Sequence, residues 1–306
     1  MENQQPYKFK SITEYHKILG LSKPEHPLVS VVNLEEIKPY ASEEKVKVIF
    51  DFYIISLKKI VTGNVKYSYG QQKYDFDEGI LFFIAPNQVF SFEADNDFKS
   101  SGFVLLIHPD FLWGTTLAKT IKQYEFFNYS VNEALFVSEK EQTILNFFIQ
   151  NIEREYHSNI DTFSENIIIS QLESLLNYSD RFYKRQFITR KISNHQILEQ
   201  LEKLLDDYFK SDDLCIKGLP TVLYLAKKLN TSPNYLSGVL KTLTGQSTQQ
   251  HIHNKVIQKA KEKLSSTELS VSEIAFSLGF EYSQSFSKLF KNKNGLTPLE
   301  FRASFN

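Results

Sequence analysis

Short apolar or alternating runs dominate the chain between residues 29 and 112, and polar segments separate them. Runs of this length that alternate with period two, or that are wholly apolar, are typical of β-strands. Many short strands at this spacing predict a sandwich or a barrel. The runs cover residues 29–34, 46–57, 65–69, 80–85, 89–92 and 102–107.

Turn-forming residues fill three of the breaks between these runs. They are Thr-Gly-Asn at 62–64, Asp-Glu-Gly at 77–79 and Ala-Pro-Asn at 85–87. Gly and Asn tolerate a left-handed backbone and Pro fixes φ, so such segments suit tight turns. We therefore expect each break to close a β-hairpin.

The apolar period changes to that of a helix after about residue 120. Ser138 precedes an acidic turn, which is the pattern of a helix start, and a second amphipathic stretch follows over 164–182. Two such helices predict a hairpin whose outer face pairs with another subunit or packs onto the domain's own sheet. Residues 185–194 show weak periodicity and are interpreted as a linker, with the next helix beginning near His195. The two predicted apolar stripes are Ile144, Phe147, Phe148 and Ile152, and Ile168, Leu172, Leu175 and Leu176.

One unit of sequence occurs twice in the last third of the chain. LAKKLN at 225–230 aligns with IAFSLG at 274–279, at an offset of 49 residues. Each copy predicts a helix, a tight turn at Asn230 or Gly279, and a second helix with one apolar and one polar face. The pattern is that of a tandem helix-turn-helix.

The second helix of each unit presents amide, hydroxyl and ammonium groups. Asn and Gln bond adenine, Ser bonds bases or phosphates, and Lys pairs with phosphate or guanine. A helix with such a face, held by a short turn, is what reading of a DNA major groove needs. The helix-turn-helix units cover about 221–244 and 271–294. The predicted DNA-binding residues are Ser232, Asn234, Tyr235, Ser237 and Lys241 in the first unit, and Ser283, Gln284, Ser287, Lys288 and Lys291 in the second.

The charge distribution and the spacing of the units favour a polyanionic partner. Residues 217–306 hold 12 Lys or Arg against 5 Asp or Glu, a net charge of +7, whereas the rest of the chain carries −8. A helix predicted over 248–265 opens with Ser247-x-x-Gln250, a capping box, and joins the two units. Its 18 residues span about 27 Å, near the roughly 34 Å of one DNA turn, so the two second helices can enter successive major grooves.

The motifs of this region resemble the two helix-turn-helix signatures of AraC-type (AraC/XylS) transcription regulators. The matching segments are SPNYLSGVLKTLTGQS at 232–247 and SVSEIAFSLGFEYSQSFSKLFKNKNGLTPLEFR at 270–302. The resemblance implies a sequence-specific regulator that binds double-stranded promoter DNA as a homodimer, answers a small-molecule effector and contacts RNA polymerase. It also implies a cupin-like sensor ahead of the DNA-binding domain. Gly238 stands where the family often has Arg, and Gln88 where a metal-binding cupin would offer His.

We therefore expect an α+β fold in which a cupin-like β-barrel and a helical hairpin precede an all-α tandem helix-turn-helix domain. The expected parts are a sensor or regulatory β domain (1–120), a helical dimerisation region (121–184), the linker (185–194) and the DNA-binding domain (195–306).

The remaining chemistry argues against other classes of function. Cys215 is the single cysteine, which excludes an intramolecular disulfide and fits a reducing compartment. His251 and His253 are two residues apart on a predicted helix, so both cannot face one metal ion. The sequence contains no phosphate loop, dinucleotide fingerprint or membrane-spanning run. We expect a cytoplasmic, bacterial, nucleoid-associated protein with no cofactor, metal or catalytic residues. Ligand-binding residues are not assigned, and the alternatives are a cupin-type enzyme and a non-specific architectural DNA binder.

Overall fold

The computed structural model describes residues 6–37, 42–62, 65–67, 79–94, 99–129, 133–158, 161, 163–189, 191–211 and 213–304. The chain divides into two compact units, Met1–Gln186 and Phe187–Asn306, each with its own hydrophobic core. The first unit mixes strands with helices, and the second is helical in its described part. The predicted α+β fold class is therefore confirmed.

Strands of the first unit form two sheets. One has the order β1-β3-β7-β5 and the other the order β2-β8-β4-β6-β9. The pair β1 and β3 is parallel, and the other pairs are antiparallel. The strands are β1 (Tyr7–Phe9), β2 (Val29–Asn33), β3 (Ser42–Phe50), β4 (Tyr53–Thr62), β5 (Val65–Tyr67), β6 (Gly79–Ile84), β7 (Val89–Ala94), β8 (Lys99–Ile107) and β9 (Leu135–Val137).

The hairpin prediction is wrong for all three turn segments. The segments 62–64, 77–79 and 85–87 connect β4, β5, β6 and β7 in turn, and each successive strand lies in the other sheet. Residues 63–64 and 77–78 lie outside the described residues. Asn87 does have the left-handed φ of 63° that turn chemistry suggested. Turn residues specify that the chain reverses, but not which strand it then pairs with, so local chemistry missed the change of sheet.

The core of the first unit lies between the two sheets. Ile54 of β4, Phe82 of β6 and Val104 of β8 are buried there with residues of β3, such as Phe50. Because neighbouring side chains of a strand point to opposite faces, Ile55 is buried on the other side of its sheet. This alternation lets one sheet pack against the other on one side and against helices on the other, which gives a two-layered, barrel-like architecture.

The helices of the first unit pack against these sheets, and the first of them contributes Ile12 to the core between the sheets. These helices are α1 (Ile12–Ile18), α2 (Leu117–Thr120), α3 (Glu139–Tyr156) and α4 (Ser164–Thr189), of which α4 ends beyond the boundary of the unit. The predicted start of α3 is confirmed, since Ser138 donates its backbone N–H to Glu141 over 2.9 Å. The α4 stripe at 168, 172, 175 and 176 is buried as predicted.

The predicted apolar stripe of α3 is confirmed at Ile152 and is wrong at its other three positions. Helix α3 packs against β2 and β9 through Leu145, Ile149, Ile152 and Tyr156. Phe147 is 59% exposed instead. Two apolar stripes run side by side on this helix, and the position of the sheet, which the sequence does not reveal, decides between them.

The predicted linker at 185–194 is helical on both sides of residue 190. Helix α4 continues to Thr189, and the next helix starts at Lys191, not near His195. Gln186 is buried, and its amide is satisfied there: the side chain accepts from Phe136 N (2.8 Å) and donates to Ala134 O (3.2 Å) of the first unit. Asn194, also buried, donates to Phe187 O over 2.6 Å within the second unit. Apolar periodicity overlooks this segment because polar residues occupy buried positions.

The second unit is a helical domain around one core. Its core combines Leu236, Val256, Ile274, Phe286 and Phe290. The capping boxes beginning at residues 247, 270 and 297 all form. The helices are α5 (Lys191–Lys210), α6 (Asp213–Lys217), α7 (Val222–Lys228), α8 (Pro233–Thr244), α9 (Thr248–Ser266), α10 (Val271–Ser277), α11 (Ser283–Asn294) and α12 (Pro298–Ala303).

Candidate nucleic-acid interface

Two helix-turn-helix units of equal dimensions form the site. Helices α7 and α10 have 7 residues each, and α8 and α11 have 12 each. The intervening turns place Asn230 (φ 54°) and Gly279 (φ 82°) in the left-handed region, as the repeat predicted. Helix α9 joins the units with 19 residues, a length of about 28 Å. The structure thus holds two similar helix pairs joined by one continuous helix.

The first helix-turn-helix unit buries several of the residues predicted to contact DNA. Ser232 and Tyr235 are each only 7% exposed. The Ser232 hydroxyl caps α8 by accepting from Tyr235 N over 3.2 Å. The Tyr235 ring contacts Phe187 edge to face at 5.2 Å, and Ser237 Oγ lies 3.0 Å from Thr248 Oγ1 at the start of α9.

Fewer side chains of α8 are therefore available to a ligand than the sequence suggested. Asn234 is half-buried and Lys241 is exposed. Gly238 is buried and brings no side chain to the surface. A polar residue on an amphipathic helix looks alike whether it faces solvent or a neighbouring helix, which is why the sequence did not separate these cases.

The second helix-turn-helix unit keeps its predicted residues wholly or partly at the surface. Gln284, Lys288 and Lys291 of α11 are exposed, and Ser283 and Ser287 are half-buried. The aromatic rings of Phe286 and Phe290 anchor the opposite face of this helix in the core. Helix α11 thus has one face packed in the core and one exposed polar face.

Sequence reasoning missed two exposed residues at the start of α11. Tyr282, which precedes the helix, is 68% exposed, and Ser285 is exposed in its first turn. Residues three apart on a helix lie on one face, so the spacing of Tyr282, Ser285 and Lys288 carried a signal that could have found them.

The positive charge of α11 is free to meet a polyanion. In the ranges that the structure describes, no carboxylate lies within ion-pair distance of Lys288 or Lys291. By contrast, Lys255 of α9 pairs with Asp206, and Lys259 pairs with Glu262 at 2.7 Å. Unpaired surface ammonium groups attract phosphates and release counterions on binding.

Two histidines near the start of α9, His251 and His253, have pKa values lowered by their surroundings. Burial lowers the pKa of His251, an effect that Glu202 partly opposes. Burial and the Lys293 cation lower the pKa of His253. The neutral ring therefore fits the fold, and the stability it contributes is present above the unfolded pKa of about 6.5 and is lost as pH falls through the lower folded pKa.

We expect the C-terminal compact unit, Phe187–Asn306, to unfold at a lower temperature at pH 5.5 than at pH 7.5. Thermal unfolding of the full chain, followed by helical circular dichroism across this range, measures the effect. The His251→Gln/His253→Gln variant should show a smaller dependence on pH, since it retains amide groups but removes the titration. An equal pH dependence in both proteins would contradict the assignment.

Comparison with known proteins gives these two units a family. An AraC-like ligand binding domain matches residues 48–163, and a helix-turn-helix domain matches residues 225–304. The chain belongs to the AraC-type regulators. The order of a β-rich sensor and a tandem helix-turn-helix domain, expected from the resemblance, is confirmed.

The relatives that follow each match about a quarter to a third of this AraC-type chain. The Msm operon regulatory protein of Streptococcus mutans is 38% identical over 78 residues, which are 26% of this chain and 28% of that protein. The regulatory protein SoxS of Salmonella typhimurium is 28% identical over 36% of this chain and 97% of its own length. The crystal structure of the C-terminal domain of the response regulator yesN from Fusobacterium nucleatum is 31% identical, covering 34% of this chain and 95% of that one with a TM-score of 0.30.

The ligand-binding half of the AraC-type chain encloses a few polar groups between its sheets. His16 Nε2 lies 2.9 Å from Ser30 Oγ, and Ser56 is also buried. The Lys58 ammonium, 4.9 Å from the centre of the Phe82 ring, is buried so deeply that desolvation lowers its pKa to about 7. The sequence signal for Lys58 was a charged residue at an inward position of an otherwise apolar strand, and we had not assigned it.

Metal-ligating side chains do not cluster in the described part of this chain. No three His, Cys, Asp or Glu side chains come together there as metal ligands would. The Gln88 side chain turns back to accept from Ala85 N over 3.0 Å. None of the described helices is both long enough and apolar enough to cross a membrane.

Proposed function

We propose that this AraC-type protein is a transcription regulator that binds specific promoter sequences through two helix-turn-helix units in adjacent major grooves. The observation that carries the proposal is the pair of equal units joined by α9, whose length of about 28 Å approaches one turn of DNA. The exposed amide and ammonium groups of α11 support it, because they match the acceptors and donors of base edges and phosphates.

The two recognition helices divide the work unequally. Helix α11 reads bases through Gln284, with Ser283, Ser287 and Ser285 beside it, and Lys288 and Lys291 hold phosphates. Helix α8 contributes Asn234 and Lys241, while Gly238 leaves the centre of its face bare. Most sequence information then resides in the half-site beneath α11.

The N-terminal unit, Met1–Gln186, supplies regulation in this proposal. A small-molecule effector binds between the sheets, where Lys58, Ser56 and Ser30 offer polar groups within an apolar enclosure. The protein acts as a homodimer through the exposed face of α3 that carries Phe147, and it contacts RNA polymerase at promoters. It works in the bacterial cytoplasm, on the nucleoid, without a cofactor, a metal or an enzymatic activity.

Genome-wide footprinting at physiological salt tests the proposal. We expect a small number of sharp sites, each with two half-sites about one DNA turn apart, and affinity roughly 10³-fold or more above that for unrelated duplexes. Diffuse occupancy with uniform affinity would refute it and favour a non-specific architectural role. The sites found would also name the genes whose metabolites are tested as effectors.

A further inference from the structure

The turn of the second helix-turn-helix unit touches the loop that leads into the first. Gly279 lies in the turn between α10 and α11, and Gly218 follows α6 and precedes α7. A methyl group placed on Gly279 would lie 2.9 Å from Leu214 O and 3.0 Å from the carbonyl carbon of Gly218. A methyl group on Gly218 would lie 3.3 Å from Gly279 O. The two backbones are therefore as close as glycine alone permits.

Hydrogen bonds hold the Gly218 side of this contact in place. Gly218 O accepts from the buried Tyr208 hydroxyl of α5 over 2.9 Å, and Gly218 N donates to Leu214 O over 3.2 Å. The Tyr208 ring in turn lies edge to face against Tyr224 of α7 at 5.3 Å. The loop is thus tied to α5 and α6, and through Tyr208 to α7, so it cannot move away from Gly279 without breaking these bonds.

The two DNA-reading units share one hydrophobic core, and the contact between the two glycine backbones adds to it. Helix α9 joins them covalently and packs against α8, α10 and α11. The Gly218 loop adds a contact at the turn that positions the start of α11. Because this contact joins two backbones, it leaves less freedom in distance and rotation than contacts between side chains do.

We infer that the contact between Gly218 and Gly279 sets the spacing and phase of the two recognition helices and so decides which half-site spacing the protein selects. This inference rests on the proposed function, since it presumes that one chain reads two half-sites. Gly279 is a positioning residue in this role, and it acts on DNA through α11 rather than by touching it.

A spacing series measures the effect of Gly279→Ala in the full-length protein. Duplexes carry the two half-sites found by footprinting, with centre-to-centre distances varied in single base pairs around the expected 10 to 10.5, roughly one helical turn. We expect the variant to lose about tenfold or more at the wild-type optimum and to show a shifted or broadened optimum. Affinity for a single half-site, measured at low salt, should stay within about twofold of wild type.

The chain offers matched controls for backbone strain. Gly245 (φ 72°) and Gly295 (φ 75°) end α8 and α11 in the same left-handed conformation as Gly279, but no atom lies within 4 Å of a methyl group built on either. Gly245→Ala and Gly295→Ala therefore carry the strain of φ without the steric conflict. Both should keep the wild-type spacing profile.

Tyr208→Phe provides a second variant that adds no bulk. It removes the hydrogen bond to Gly218 and should broaden the spacing profile in the same direction, though less than Gly279→Ala. A Gly279→Ala profile that superimposes on those of wild type and Gly295→Ala would overturn the inference. Failure of the wild-type protein to prefer any duplex would refute the proposed function itself, and the inference with it.

Discussion

Alanine at both Gln284 and Lys288 is expected to lower the affinity of the protein for its target duplex by roughly 10² to 10³-fold. Both side chains are exposed on α11, while Phe286 and Phe290 hold the other face of that helix in the core. A bidentate amide contact with a base contributes about 1–3 kcal/mol of discrimination, and each ammonium group adds a salt-dependent phosphate contact. Fluorescence anisotropy with a labelled duplex, at two salt concentrations, measures the loss and the slope.

A control with the same chemistry lies on α5. Gln200→Ala/Lys203→Ala removes one exposed amide and one exposed ammonium group outside both helix-turn-helix units. It should change affinity by less than about threefold, because only general phosphate attraction is altered. The salt dependence should fall by about one phosphate in the α11 variant. Equal losses in the two double variants would show that α11 has no special part in recognition.

Phe286→Ala is expected to lower the free energy of unfolding of the C-terminal compact unit, Phe187–Asn306, by about 3–5 kcal/mol. Its ring is fully buried, 5.5 Å from the ring of Phe280 and 5.8 Å from that of Phe290. Removing a buried phenyl group loses its transfer free energy and leaves a cavity that the surrounding helices fill only in part. Because domains are stabilised by about 5–15 kcal/mol in total, such a loss is a large fraction. Amide hydrogen exchange in α9–α11 of the full chain gives the change in free energy of unfolding.

Phe276 provides the comparison for that measurement. It lies on α10 of the same unit but is 55% exposed, so Phe276→Ala should change the free energy of unfolding by no more than about 0.5 kcal/mol. A similar loss in both variants would mean that burial does not determine the contribution of these rings.

The second unit follows from its sequence because its rules are local. Ser270-x-x-Glu273 specifies a helix start within four residues, and the box forms. Asn230 and Gly279 were predicted to take left-handed backbone conformations at the two turns, and both do. Each such signal is complete within one helical turn, so no knowledge of the rest of the chain is required.

Features that depend on distant partners were harder to predict. In the N-terminal unit β4 pairs with β8 and β6, whereas the turn residues after β4 predicted pairing with the next strand along the chain. Tyr235 and Ser237 have the polarity of groove-reading residues, yet Phe187 and Thr248 occupy their surroundings. Lys58 is buried although lysine is ordinarily exposed. In each case a tertiary neighbour overrides the preference of the residue.

The boundary between Gln186 and Phe187 limits how such regulators can be recombined. A chimera that grafts a foreign sensor at residue 195, where a sequence reader would cut, discards both Phe187 and Asn194. The Tyr235 ring would then lose its edge-to-face contact with Phe187 and become partly exposed to solvent at the start of α8. A graft that cuts directly after Gln186 keeps Phe187, Asn194 and Tyr235 together in the DNA-reading half, so the exchangeable module begins in the last turn of α4.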